Sequence, residues 1–335
     1  MATITPTFSI LIPTYNGAQH LKDTLDSIFK QTYQNFEIIV NDDKSTDSTL
    51  KLLKSIKDPR LFIYQNKKNL GYPLNLQASS QKAKGKYLYL LGQDDLLSPS
   101  ALKDTLHAFQ KNPKVAAVTR PYYWFDKDPN TAIRRKKQLN PDQDTLVTTN
   151  SPKADIITMF STLDQLTGLS YKRSLLKIPF HPDIFPCHIY PFADLFKKHH
   201  VVFLKDYNTA VRISSSQTRS LSSIYNKSPI LSWKQMVDSI FPQKSQPRLN
   251  HLLIKDFVAR NYVGLVQIRN FSTLKNYLRE VYYLVLFRPL NLLSPSFYLF
   301  SISCLILPPR LLIPLTDNYK KLVNSFLYKK VKLKN

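Results

Sequence analysis

A chain of 335 residues, 43% of them hydrophobic, has room for two domains and is too apolar to be disordered. Its 47 Lys and Arg against 23 Asp and Glu leave a net charge of +24, more than solubility requires. Such a field attracts anions, whether nucleic acid, an anionic membrane or phosphorylated substrates. The two cysteines, Cys187 and Cys304, show no metal-binding spacing, and a reducing compartment fits them better than a structural disulfide. The first residues lack a basic segment followed by a long apolar core, so no signal peptide is expected.

Phe8 to Ile12 reads as a buried strand that stops at Pro13, and Thr14-Tyr15-Asn16-Gly17 as a turn. Leu21, Leu25, Ile28 and Phe29 then recur at helical spacing, which completes a strand-loop-helix unit by about residue 31. Glu37 to Val40 is a second strand. It runs into the acid- and hydroxyl-rich loop Asn41 to Asp47 and a helix carrying Leu50, Leu53 and Ile56. Further strands are expected at Leu61 to Tyr64, Tyr87 to Leu91 and Val115 to Val118, and Gly85 is expected to close the helix before the fourth strand. Alternating strands and helices imply a parallel sheet with right-handed crossovers. The loops at the strand C-termini then share one edge, bringing Thr14 to Asn16, Asp42 with Asp43, and Asp94 with Asp95 into one crevice.

The stretch with the most chemistry is the apolar run from Tyr87 to Leu91, which ends in the adjacent acids Asp94 and Asp95. Two carboxylates at the end of a buried strand repel each other unless something neutralises them. A hard divalent cation does so, and in phosphate chemistry it completes its shell with substrate oxygens. The plainer alternative is that one acid caps a turn and the other is solvated. Ser98-Pro99 reads as a helix N-cap followed by proline at the first helical position, which places the acids on a strand-to-helix loop.

The strings FSILIPTYNG, NDDKSTDS, NKKNLGYPLN, KGKYLYLLGQDDLLSP and FADLFKKHH occur in that order and at that spacing. Together they resemble the family 2 glycosyltransferases, in register from about Phe8 to Ser216. The resemblance implies a GT-A fold: α/β, with a Rossmann-like, mostly parallel sheet flanked by helices, here followed by a C-terminal helical extension. Residues 1–120 would form the nucleotide-sugar-binding half and 121–225 the acceptor-binding half. It implies that Pro13, Thr14, Tyr15 and Asn16 lie beside the nucleotide, and that Asp42, with Asp43 next to it, accepts a hydrogen bond from the base. A carboxylate suits a ring N–H, as on uracil or thymine, so UDP or dTDP is favoured. Lys44 stands where relatives carry glycine, and a left-handed backbone there would be strained. Asn75 matches a family asparagine, while Leu74 replaces the arginine that many relatives carry before it.

By the same resemblance Asp95 is the main ligand of Mg2+ or Mn2+ and Asp94 its partner, although Gly92 replaces the first acid of the usual four-residue motif. Asp194 of Phe192-Ala193-Asp194 aligns with the family's Glu-Asp pair and is the implied base of an inverting transfer, with Asp183 as rival. Arg212 would hold phosphate, the following family histidine being replaced by Ser214. His181 and His188 read as surface histidines.

From about residue 226 to 335 a helical region is expected. Leu274, Leu278, Val281, Tyr282, Val285 and Leu286 form a broad apolar face. Between Pro289 and Pro309 lies an uncharged run nearly long enough to span a bilayer, but its serines favour an interfacial segment. Arg288, Arg310 and the lysine-rich tail would bind anionic lipid. The alternative is an ordinary buried helix. The expected protein is a metal-dependent glycosyltransferase in cell-surface polysaccharide synthesis. It would be peripheral at the cytoplasmic face of the membrane, with a nucleotide-diphospho-sugar donor and a glycan or lipid-linked acceptor, and no nucleic acid partner. The competing reading is a non-catalytic basic protein, binding membrane or nucleic acid on a degenerate version of the fold.

Overall fold

The computed structural model describes residues 5–214 and 222–309, with 311, 312, 314, 315, 318, 333 and 334. The chain forms two compact units, one reaching to Arg212 and the other beginning at Ile213. In the first unit an eight-stranded sheet is built from β1 (Phe8–Thr14), β2 (Phe36–Asp42), β3 (Leu61–Gln65), β4 (Tyr87–Leu90), β6 (Val115–Thr119), β9 (Thr145–Val147), β10 (Ser170–Lys172) and β11 (His200–Phe203). Their order is β3-β2-β1-β4-β10-β6-β11-β9. Strands β1 to β4 are parallel, and β10 runs antiparallel between β4 and β6. β1, β2, β4 and β6 are buried along nearly their whole length, which is why they are mostly apolar on both faces rather than alternating.

Helices α1 (Leu21–Phe29), α2 (Thr49–Ser55), α3 (Tyr72–Lys82), α4 (Ala101–Lys111), α5 (Lys153–Ser161) and α6 (Ile189–Lys198) flank the sheet. α1 buries Leu21, Leu25 and Ile28 against a core that holds Phe8, Ile10 and Tyr89. The ring of Tyr87 stacks on Phe109 of α4 at 4.0 Å, tying the acid-bearing strand to the helix that follows it. Because the chain leaves β1 towards β2 while β4 pairs on the other side, the sheet changes direction between β1 and β4. Open α/β sheets bind ligands at such a point.

A second sheet, in the order β5-β12-β7-β8, comprises β5 (Leu96–Leu97), β7 (Tyr123–Phe125), β8 (Arg134–Arg135) and β12 (Thr209–Arg212). Pairing of Ala210 with Leu96 carries Arg212 to the end of the acid loop. The strand β5 also displaces the expected helix start. Ser98 is buried and its hydroxyl donates to Asn208 Oδ1 at 3.0 Å, so α4 begins at Ala101 and not at Pro99. Gly85 does not close α3, which is capped at Ala83. It lies against β1, where an added Cβ would sit 2.5 Å from the Ser9 amide nitrogen. Lys44 adopts a left-handed backbone, with φ of 64°, which costs a residue with a Cβ more than it costs glycine.

The second unit contains the helices Pro229–Ile240, Pro247–His251, Val263–Phe271, Leu274–Phe287 and Pro295–Ile306. Ser228 caps the first of them, accepting from the Leu231 amide at 3.0 Å and donating to Glu280 at 2.8 Å. Helix Leu274–Phe287 buries Tyr277, Glu280, Leu284 and Phe287, and of the broad apolar face read from the sequence Leu274, Leu278, Tyr282 and Leu286 are exposed. Among the described residues no helix is long and apolar enough to cross a membrane. Arg310 and most of the lysine-rich tail lie outside the described residues. Cys187 and Cys304 are buried thiols.

Candidate active site

Three loops at the C-terminal edge of the sheet form the candidate site. The first follows β1 and is fastened to the acid loop by Gln93, whose Nε2 donates to the Tyr15 carbonyl at 3.0 Å and whose Oε1 accepts from the Tyr15 amide at 2.9 Å. This side chain imitates a strand partner. It lies so close to Gly17 that a Cβ there would approach Oε1 to 2.5 Å. Tyr15, 39% exposed, and Asn16 stand at the mouth, whereas Thr14 is buried and Pro13 half-buried.

The second loop follows β2. Asn16 accepts from the Thr46 amide at 2.8 Å and its own amide donates to Ser45 Oγ at 2.9 Å, so the first two loops are laced together. Asp42 is fully buried and accepts from the Ser45 amide at 3.1 Å, from the Ser45 hydroxyl and from Gln65 Nε2 at 2.9 Å. Asp43 accepts from the amides of Leu70 and Gly71 and from Asn66 Nδ2, each at 2.8 Å, which fixes the entry to α3. Asn75 donates to the Asn41 carbonyl at 2.9 Å and accepts from Asn41 Nδ2 at 2.6 Å. Asp43 and Asn75 thus hold the loop together from behind.

The third loop carries the acids. Asp95, 3% exposed, accepts from the Arg212 amide at 2.8 Å through Oδ1 and from the Thr167 hydroxyl through Oδ2. Thr167 also accepts from the Gly92 amide at 2.8 Å. A Cβ on Gly92 would lie 2.7 Å from Asp95 Oδ2 and 3.1 Å from Asp94 Oδ1, so both carboxylates close over the glycine. The position that lacks the family's first acid is the floor on which the other two rest. Burial, and after it the neighbouring charge of Asp94, hold the Asp95 carboxyl well above the usual carboxylate range. Two hard oxygen donors in an electrostatically unfavourable pair fit a divalent cation. The described residues contain no cluster of three or more ligating side chains, so such an ion would take its remaining oxygens from a diphosphate and water. Asp94 is part-exposed and Asp95 buried, so of the two carboxylates Asp94 is the more accessible to solvent.

Behind the acids, Arg212 donates through Nε to the Asp94 carbonyl at 3.1 Å and through Nη1 to the Asp126 carbonyl at 3.1 Å, with its guanidinium 4.6 Å above Phe125. It braces the acid loop. Arg120, fully buried at the end of β6, donates to the carbonyls of Thr162 at 3.2 Å and Gln165 at 2.8 Å, fixing the segment that presents Thr167. Gln93, Thr167 and Arg120 escaped sequence reasoning. Gln93 stood inside the acid motif, and Gly168, with φ of 86°, marked the turn beside Thr167.

On the acceptor side the residues are less gathered. Asp194 lies in the second turn of α6 and pairs with Lys198 at 2.8 Å. Asp183 is buried in the preceding loop and accepts from the Phe185 amide at 3.2 Å. His188 is not a surface histidine. It is buried at the start of α6, its Nε2 lies 2.8 Å from the Leu163 carbonyl and its Nδ1 3.0 Å from the Tyr72 hydroxyl. His181 stacks on Tyr190 at 3.9 Å.

The profile of the family described as glycosyl transferase family 2 matches residues 9–177. An uncharacterized glycosyltransferase of Haemophilus influenzae is 36% identical over 115 residues, 34% of this chain and 36% of that protein. The UDP-Glc:alpha-D-GlcNAc-diphosphoundecaprenol beta-1,3-glucosyltransferase WfaP of Escherichia coli is 34% identical over 120 residues, 36% of this chain and 47% of that protein. The matched stretch thus spans about a third to a half of these curated relatives. Among solved structures, S. aureus TarS 1-349 in complex with UDP-GlcNAc superposes with a TM-score of 0.64 at 18% identity, covering 95% of this chain and 89% of that one. The mannosyltransferase PcManGT of Pyrobaculum calidifontis, in complex with GDP-Man and Mn2+, gives 0.52 at 16% identity, covering 91% and 87%. These likenesses establish the GT-A fold.

Proposed function

The chain belongs to glycosyl transferase family 2, and from that premise we propose that it moves a sugar from a nucleoside-diphosphate donor to a glycan or lipid-linked acceptor in cell-surface polysaccharide synthesis. The observation that carries this reading is the Asp94–Asp95 pair closed over Gly92 at the switch point of the sheet. Asp94 and Asp95 would hold Mg2+ or Mn2+, which when bound takes up the charge that grows on the departing diphosphate. Tyr15 and Asn16 offer the exposed edge for the nucleoside. Asp42 would read a base N–H only if that group replaced one of its present donors, the Gln65 amide being the most exposed of them. The name of the E. coli relative favours a UDP-sugar.

The transfer is inverting in this reading. The acceptor oxygen bonds to the anomeric carbon as the bond to the diphosphate oxygen breaks on the opposite face, and the acceptor proton passes to a carboxylate. Asp194 is the proposed base. Its carboxylate already pairs with Lys198 at 2.8 Å and would have to turn from that partner to meet an acceptor, which keeps Asp183 as the rival. A lipid-linked acceptor would put the reaction at the inner face of the cell membrane.

Calorimetric titration with UDP, dTDP and GDP, each with and without Mn2+, tests the donor site. One nucleotide should bind only with the ion, and Asp94→Asn should weaken it by about 10- to 100-fold. The base is whichever of Asp194→Asn and Asp183→Asn loses turnover while keeping that nucleotide affinity. Absence of ion-dependent binding for all three nucleotides would overturn the reading and leave the non-catalytic basic protein in its place.

A further inference from the structure

Most of the exposed large hydrophobic side chains among the described residues lie at or beyond Leu274. In helix Leu274–Phe287 they are Leu274, Leu278, Tyr282 and Leu286, one every fourth residue and therefore one stripe. In helix Pro295–Ile306 they are Tyr298, Leu299, Ile302, Leu305 and Ile306, again at helical spacing. The turn between the helices adds Leu290, Leu292 and Leu293, the last 78% exposed. Each helix already buries a separate stripe, Tyr277 with Leu284 in one and Phe297 with Cys304 in the other. A surface helix normally turns polar residues outwards, and here both turn apolar ones. An uncovered apolar area of this extent marks an interaction surface.

Charge identifies the occupant. Residues 289–309 contain no charged side chain, and the sequence around them is mostly basic: Lys275, Arg279, Arg288 and Arg310, then, after the single acid Asp317, Lys320 and Lys321 before the lysine-rich end. Glu280, the acid nearest the run on its N-terminal side, is buried and accepts from Ser228 and Arg279. A second copy would set one basic rim against another, which is repulsive. An anionic bilayer supplies both missing complements, an apolar interior for the stripes and phosphate for the rim. The helices are too short to span it, so they would lie in its surface, with Tyr282 and Tyr298 at the depth where amphipathic rings concentrate.

We infer that this face of the helical unit docks in the headgroup region of an anionic phospholipid membrane. The inference uses no residue of the candidate active site and stands or fails apart from the transfer reaction. The test is sedimentation of the full chain with vesicles of phosphatidylcholine alone and of phosphatidylcholine mixed with phosphatidylglycerol. The protein should sediment with the mixed vesicles and be released by high salt. The double variant Ile302→Glu/Leu305→Glu should lower partitioning at least about tenfold, since buried carboxylates oppose insertion. Leu293→Glu should act in the same direction, and Leu146→Glu, an exposed leucine of the other unit, should leave binding unchanged. Circular dichroism melts check that each variant is folded. A chain that stays in the supernatant with mixed vesicles, or whose binding ignores these substitutions, overturns the inference. So does a dimer in light scattering that the same substitutions dissociate.

Discussion

Burial at the start of α6 lowers the pKa of His188 to about 4, outweighing the hydrogen bond to the Leu163 carbonyl, which acts the other way. Because that carbonyl can only accept, Nε2 carries the proton and Nδ1 accepts from Tyr72. The unfolded chain binds a proton near pH 6.5 and the folded chain only near 4, so between those values the unfolded state holds more protons. Stability from this residue is therefore complete above pH 6.5 and is lost as pH falls towards 4. Urea unfolding should give about 2 kcal/mol less stability at pH 5 than at pH 7. His188→Gln should remove most of that difference; an unchanged pH profile would mean that the imidazole is solvated. Sequence reasoning placed His188 at the surface because nothing around it marks the partners, Tyr72 and Leu163, that lie 116 and 25 residues away along the chain. The place of Asp94 and Asp95 in the fold was legible for the opposite reason, since an apolar run broken off by polar residues marks the end of a buried strand from its own sequence.

At the scale of elements, legibility followed length and repetition. β1, β2 and β4 are apolar runs of four to seven residues and were found within one or two residues of their ends. β5 and β8 have two residues each, too few for any period, yet β5 moves the start of α4 and brings Arg212 to the acids. In helix Leu274–Phe287 the apolar face was legible, but not that most of it is exposed. A stripe of leucines looks the same whether it meets a core or a solvent boundary, and the element that turned the helix is a buried acid. Glu280 accepts from the Ser228 hydroxyl at 2.8 Å, the Ile230 amide at 3.3 Å and Arg279 Nε at 3.1 Å, joining this helix to the start of Pro229–Ile240. Glu280→Ala leaves those donors unpaired in a buried site and should cost about 2 kcal/mol. Trp233 sits on the helix concerned, so its fluorescence reports the change as a lower urea midpoint. An unmoved midpoint would assign Glu280 no part in holding the helices.

For the whole molecule, the alternation of strands and helices was enough to predict that three loops meet at one edge of a parallel sheet. It did not predict how they are fastened, because Gln93 reaches Tyr15 across 78 residues and Thr167 reaches Asp95 across 72. Those fastenings make the loops one cooperative body, and a ligand bound to them stabilises the unit that contains them. Linkage sets the size: at a free concentration about 100 times Kd, a nucleotide with its ion adds roughly 2.7 kcal/mol against opening of that unit. Amide exchange should then slow about a hundredfold in the best protected segments of β1, β2 and β4. Loop residues 15–17, 43–46 and 92–95 should gain protection where they exchanged fastest before. Helices Leu274–Phe287 and Pro295–Ile306 contribute nothing to the proposed nucleotide site, so their exchange should stay constant with nucleotide and slow with anionic vesicles. Mass spectrometry of exchanged peptides separates the two ligands in one experiment. Protection by nucleotide confined to the helical unit would place the donor site away from the acid pair, and protection of the sheet by vesicles would place the membrane contact on the wrong unit.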